Sequence, residues 1–112
     1  MPLGEYIVVR GSEVVQNPTT TRVAAATSST TVRAANTRRL TLKLTNDSEA
    51  QAHILYGEGA TDENFTWVLD PGERWEMPLV ITNGNTRPEY YGIVTAVWAS
   101  AVGAMQVTEV SS

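Results

Sequence analysis

His53 is the only histidine of this 112-residue chain, and there is no cysteine. Ser-His-acid catalysis would therefore have His53 as its one base. That residue lies between Gln51 and Leu55 in a β-type pattern, and no Gly-x-Ser-x-Gly elbow is present. A lone strand histidine reads as a packing or surface residue. Carboxylates are more plentiful. Glu58, Asp62, Glu63, Asp70, Glu73 and Glu76 fall near Trp67 and Trp75 in sequence, and tryptophan beside carboxylate is what a glycosidase site uses. Most of these acids occupy turn positions, and a domain of this size has little room for a deep cleft. A non-catalytic sugar-binding face on Trp67, Trp75 or Trp98 needs no cleft, although large aromatics serve more often as core or interface anchors. Asp62-Glu63 and Asp47-x-Glu49 lack the spacing of a calcium loop, and Gly57-Glu58-Gly59 lacks the helix and lysine of a phosphate loop. The sequence thus predicts no enzyme, no cofactor, no metal and no small-molecule substrate.

The elements that carry these residues follow from composition. With 42% hydrophobic and 18% charged residues the chain is neither disordered nor membrane-spanning, and its length fits one domain. Thr, Val and Ala dominate, which favours strands over helices. The formal charge of −4 argues against general nucleic-acid binding, which needs clustered Lys and Arg. No membrane span is predicted. Residues 1–5 carry no basic segment leading into an apolar one, so no signal peptide is expected.

Residues 6–10 and 13–16 read as short strands around Gly11-Ser12, and 17–21 as a breaker segment. Residues 1–20 are accordingly assigned to an N-terminal arm or edge hairpin, and 21–112 to the main domain. Strands are predicted at 22–26 and 30–34 around the polar turn Thr27-Ser28-Ser29. Residues 39–45 alternate, with Leu40, Leu42 and Leu44 on one face. Asn46-Asp47-Ser48-Glu49 reads as a turn, 52–56 and 65–69 as strands, and Asp70-Pro71-Gly72 as a tight turn. Residues 73–79 resume as a strand with Trp75, Met77 and Leu79 on one face, and 82–89 form a loop. Residues 90–100 read as one long strand, apolar on both faces. Such a strand is either central and covered twice or set against a partner. Residues 105–110 close the domain. Seven to nine short strands predict an all-β fold, a single-domain antiparallel β-sandwich or jelly-roll-like barrel with an N-terminal arm.

Charge is segregated. Arg22, Arg33, Arg38, Arg39 and Lys43 precede a segment holding Asp47, Glu49, Glu58, Asp62, Glu63, Asp70, Glu73 and Glu76 with only Arg74 as a base. The two blocks either neighbour each other within the fold or meet across subunits.

The segment from Ala35-Asn36-Thr37-Arg38-Arg39 through the alternating strand to Asn46-Asp47-Ser48 resembles a motif of small β-sandwich proteins from tailed-bacteriophage virions. Tyr56-Gly57-Glu58-Gly59, Leu69-Asp70-Pro71-Gly72-Glu73, Trp75-Glu76-Met77-Pro78 and the segment Tyr91-Gly92-Ile93-Val94-Thr95-Ala96-Val97-Trp98 extend the resemblance over about 35–110. These motifs are turns and strand ends, and none carries chemistry. The resemblance implies a structural virion component, most simply a capsid decoration (cement) protein. It would be made in the host bacterial cytoplasm and would sit on the outer capsid surface, bound to the major capsid protein. A homo-oligomer, trimer or dimer, is expected. Head-spike, tail or baseplate adaptor roles, or a carbohydrate or host-receptor module, are the alternatives. Tyr6, Ile7, Val8, Arg10 and Val14 of the arm, with Tyr90, Tyr91 and Trp98, are the expected capsid or subunit contacts.

Overall fold

The computed structural model describes residues 16–112. They form strands β1 (Asn17–Ala24), β2 (Thr30–Arg33), β3 (Arg39–Ser48), β4 (Ala52–Tyr56), β5 (Trp67–Leu69), β6 (Arg74–Glu76), β7 (Leu79–Thr82), β8 (Asn85–Pro88), β9 (Val94–Trp98) and β10 (Gly103–Ser111). Two antiparallel four-stranded sheets pack face to face, in the orders β1-β10-β3-β6 and β2-β9-β4-β5, and β7-β8 stands apart as a hairpin. This is an all-β sandwich. Among the described residues its two sheets keep free edges and do not close into a barrel. The predicted strand 6–10 and all but Gln16 of the predicted strand 13–16 lie outside the described residues.

The core is the space between the sheets. Leu42, Leu44, Met105 and Val107 of one sheet meet Val32, Ala52, Ile54, Leu69, Val94, Ala96 and Trp98 of the other. Volumes are matched across strands: Ala52 lies opposite Trp98, and Ala96 opposite Ile54. Setting a small residue beside a large one on neighbouring strands makes room for the bulky side chain on the inner face of the sheet.

Several boundaries differ from the sequence reading. Residues 17–21 are not a breaker. They pair with β10 over the full length of β1, because β10 is long enough to offer each of them a partner. Residues 17–20 therefore belong to the sandwich and not to an arm. The turn predicted at 46–49 comes later, since β3 continues to Ser48. The strand predicted over 73–79 breaks at Met77-Pro78 into β6 and β7, which leaves Met77 buried but Leu79 exposed. Proline cannot donate to a ladder, and the chain leaves the sheet there. The loop predicted at 82–89 is instead the tip and second strand of a hairpin. Asn83 and Gly84 both adopt positive φ, 52° and 80°, as a type I′ turn requires. The long strand predicted at 90–100 shrinks to β9, which is central in its sheet. The Asp70-Pro71-Gly72 turn forms as predicted, with Glu73 N–H donating to Asp70 C=O (3.0 Å) and Gly72 at φ 81°.

Candidate functional site

The strongest polar constellation is internal. Arg39 and Glu109 are both almost fully buried and meet at 2.7 Å. Arg39 Nε donates to Glu109, while its other nitrogens reach the carbonyls of Tyr90 (3.1 Å), Gly92 (3.2 Å) and Ala34 (3.0 Å). The second carboxylate oxygen accepts Arg33 Nε (2.8 Å) and Asn36 Nδ2 (3.1 Å). Two irregularities deliver these arginines. Val110 pairs with Thr41 but Ser111 with Arg39, so Leu40 is an extra residue and Arg39 turns inward. Thr31 pairs with Thr95 but Arg33 with Val94, so Val32 is extra in β2. Burial pushes the Glu109 carboxyl up, but hydrogen bonds from Arg39, Arg33 and Asn36 outweigh it and hold the group below its ordinary value.

Asn46 forms a second internal hub. Its amide donates to the carbonyls of Ala50 and Leu69, both at 2.9 Å. Its side-chain oxygen accepts Ser48 Oγ (2.7 Å) and the Trp98 indole N–H (3.2 Å). Every polar atom of this buried side chain is thus satisfied. The residues that carried the sequence resemblance, Asn36, Arg39, Asn46 and Ser48, are all members of these two hubs. Their role within the chain is to pin loops to the sandwich.

The expected contact residues divide. Tyr6, Ile7, Val8, Arg10 and Val14 lie outside the described residues. Trp98 is 3% exposed and bonded to Asn46, so it is a core residue and unavailable to a partner. Tyr90 is half-buried, stacked on Tyr56 with ring centroids 4.4 Å apart, and its hydroxyl donates to Ile93 C=O (3.0 Å). Tyr91 is half-buried, and its carbonyl accepts Asn36 N–H.

Tyr90 ends a row of aromatic rings. Tyr56 continues it, then Trp75 at 6.2 Å, then Trp67 at 5.9 Å from Trp75. The row spans both sheets, because Trp75 lies on β6 while Tyr56 and Trp67 lie on β4 and β5. Trp67 is 36% exposed. The Tyr56 hydroxyl donates to Glu89 at 2.5 Å. Burial, then this bond to a carboxylate, pushes the phenol well above its ordinary value.

A recess of about 560 Å³ lies beside the outward face of β4 and β9. Ser28, Ser29, His53, Asp62 and Val97 are among its lining residues. The tertiary fold thus brings the one histidine near hydroxyls and a carboxylate that the sequence scatters. Among the described residues, no hydrogen bond joins His53 to any of them; its ring instead meets Phe65 edge-on at 4.8 Å. No group of three or more potential metal ligands occurs among the described residues.

The two charge blocks meet in part within the fold, although Arg33 and Arg39 of the basic block pair instead with Glu109. Arg22 bridges to Asp47 at 2.7 Å, and Lys43 stands opposite Glu76 on the paired strands β3 and β6.

Among the described residues the exposed large apolar side chains are Phe65, Trp67, Leu79, Ile81 and Val102, and the most exposed of them lies on the hairpin. The β7–β8 hairpin presents Ile81, 73% exposed, and Leu79, 45% exposed, on the same side of one strand. The Asn83-Gly84 pair was the sequence signal for this element. The alternation of Leu79 and Ile81 flanking it was the signal for its apolar face.

No protein-family model matches the chain, and neither a curated protein nor a solved structure matches it.

Proposed function

We propose that this protein is a non-enzymatic assembly module, a structural component of a bacteriophage virion that decorates the capsid and stabilises the head by bridging its subunits. The observation that carries the reading is a contrast between a core whose few buried polar groups are paired and two large apolar side chains left exposed on one hairpin strand. Charged and amide side chains are locked inside at Glu109 and Asn46, while Ile81 and Leu79 stand in solvent on a hairpin. Exposed apolar side chains on a rigid projection are what a docking element needs. Many weak copies of such a contact, repeated by symmetry, raise the stability of the assembled shell through mass action.

The test is co-sedimentation with undecorated tailed-phage heads. Full-length protein is expected to bind them, and Ile81→Asp to lose occupancy at least tenfold. Deleting residues 1–15, which spares β1, asks whether the arm contributes. Full-length protein that ignores heads would sink the virion reading.

A second reading rests on Trp67. It is exposed beside Trp75, as a stacking platform for a glycan would be. Iodide quenching of one tryptophan, relieved by glycans, would favour a carbohydrate-binding module over a decoration protein.

A further inference from the structure

The four sheet edges are unequal. β2, β5 and β6 are edge strands of four, three and three residues. β1 is an edge strand of eight residues, and nearly all of it is exposed on both faces. Short edges protect a sheet from pairing with other chains, whereas a long flat edge invites it. β1 lacks lysine and has no bulge in its pairing with β10; of the features that blunt an edge it carries Pro18 near one end and Arg22, whose side chain is held by Asp47.

The register decides which backbone groups face outward. Ala25 N–H donates to Gly103 C=O, which continues the β1–β10 ladder by one step. Residues alternate along a strand, so Asn17, Thr19, Thr21 and Val23 direct their N–H and C=O groups to β10. Pro18, Thr20, Arg22 and Ala24 direct theirs to the free edge. The N–H that Pro18 lacks is therefore absent from the outer edge, where no ladder bond within the chain is lost. Among the described residues, no strand pairs with that edge.

We propose that this edge is a pairing surface for a second copy of the chain, with β1 antiparallel to its counterpart about a two-fold axis at Thr21. Every symmetric register centred on a residue of β1 keeps the outward-facing residues opposed, and centring on Thr19 or Val23 leaves fewer paired donors within β1 than centring on Thr21. Centring on Arg22 sets Arg22 against Arg22, and like charges directly opposite are unfavourable. Centring on Thr20 sets Arg22 against Pro18 and loses donors. Centring on Thr21 sets Thr20 of one copy against Arg22 of the other, and Pro18 against Ala24. This arrangement forms about six backbone hydrogen bonds and avoids the charge conflict. It fuses the two β1-β10-β3-β6 sheets into one continuous sheet. Arg22 keeps its bridge to Asp47 throughout, because that bridge uses the side chain and the pairing uses the backbone. The pairing depends on strand geometry alone and holds whether or not the protein binds a capsid.

The test uses the full chain, which has no native cysteine. In this register Thr21→Cys places two thiols at a non-hydrogen-bonded pair, with Cα atoms about 4.5 Å apart. Thr19→Cys leaves them offset by four residues along the strands, about 13 Å. Mild oxidation is expected to link Thr21→Cys into a dimer and to leave Thr19→Cys monomeric. Light scattering of the unmodified chain at rising concentration is expected to approach twice the monomer mass. Thr20→Pro removes an outward N–H and no ladder bond within the chain, so it is expected to stay folded and monomeric. A chain monomeric at every concentration, with no Thr21→Cys linkage, overturns the proposal and assigns the edge to another segment or partner. Equal linkage at both cysteine positions, or a folded Thr20→Pro that remains dimeric, overturns it as well. If Thr20→Pro fails to fold, the two cysteine variants decide alone.

Discussion

The sandwich interior and two parts of its periphery, the edge strand β1 and the β7–β8 hairpin, follow opposite rules. Inside, Arg39, Glu109 and Asn46 are buried polar groups whose partners are nearly all in place. Outside, Leu79 and Ile81 lie in solvent, and β1 lacks a neighbour on one edge among the described residues. The interior therefore spends its specificity on holding loops, and these peripheral elements are left incomplete. An unsatisfied surface on a stiff scaffold is where an assembly protein makes its contacts, and a satisfied interior is what keeps that scaffold stiff.

The contrast can be broken from the inside first. Arg39→Ala takes the buried donor from one oxygen of the Glu109 carboxylate, leaving Arg33 and Asn36 on the other, and removes a donor from each of three carbonyls. It is expected to cost roughly 3–5 kcal/mol in denaturant unfolding. Replacing both partners, Arg39→Met with Glu109→Leu, is expected to cost less than Arg39→Ala alone. A double variant worse than the single one would mean that Glu109, through Arg33 and Asn36, stabilises the fold even without Arg39. Asn46→Leu leaves the Trp98 indole N–H without its acceptor and takes the amide donor from the Leu69 carbonyl, while the Ala50 carbonyl keeps Ser48 Oγ; it is expected to lose about 2–3 kcal/mol, with a change in the near-ultraviolet signal of Trp98.

Acid sharpens the same contrast. Glu109 has a folded-state pKa below its ordinary value of 4.5. Its contribution is therefore complete above that value, and it fades as pH falls toward and through the lower folded-state value. Melting temperature is expected to drop over that range in the native protein, and to drop less in the Arg39→Met, Glu109→Leu variant. A parallel fall in both would assign acid sensitivity to other carboxylates.

At the periphery the expected stability effects are smaller. Gly84→Ala forces an L side chain into positive φ at the hairpin tip and is expected to cost about 1 kcal/mol. Ile81→Ser removes only exposed surface and is expected to shift stability by less than about 0.5 kcal/mol. A larger loss on urea unfolding would mean that Ile81 is covered by a second copy in solution.

Much of this architecture was legible in the sequence. The 52–56 strand, the Asp70-Pro71-Gly72 turn and the polar break at 27–29 follow from turn chemistry and β-branched runs, which act locally. The Asn83-Gly84 turn was equally legible, but the intervening polar residues read as a loop. The alternation of Leu40, Leu42 and Leu44 held for the last two and failed at Leu40. An extra residue there reverses the face on which Arg39 lies. Trp98 could be read as core or as contact, and only its neighbours settled that it is core.

What the sequence determined by itself is what depends on a few adjacent residues: the all-β class, most turns and the two-sided apolar character of the central strand. The tertiary structure decided what depends on partners far apart in the chain. Two bulges bring Arg33 and Arg39 to Glu109, some seventy residues away. Pairing with the distant β10 makes a strand of a segment that reads as a breaker. A breaker is a local preference, and the backbone hydrogen bonds of a full-length neighbour outweigh it.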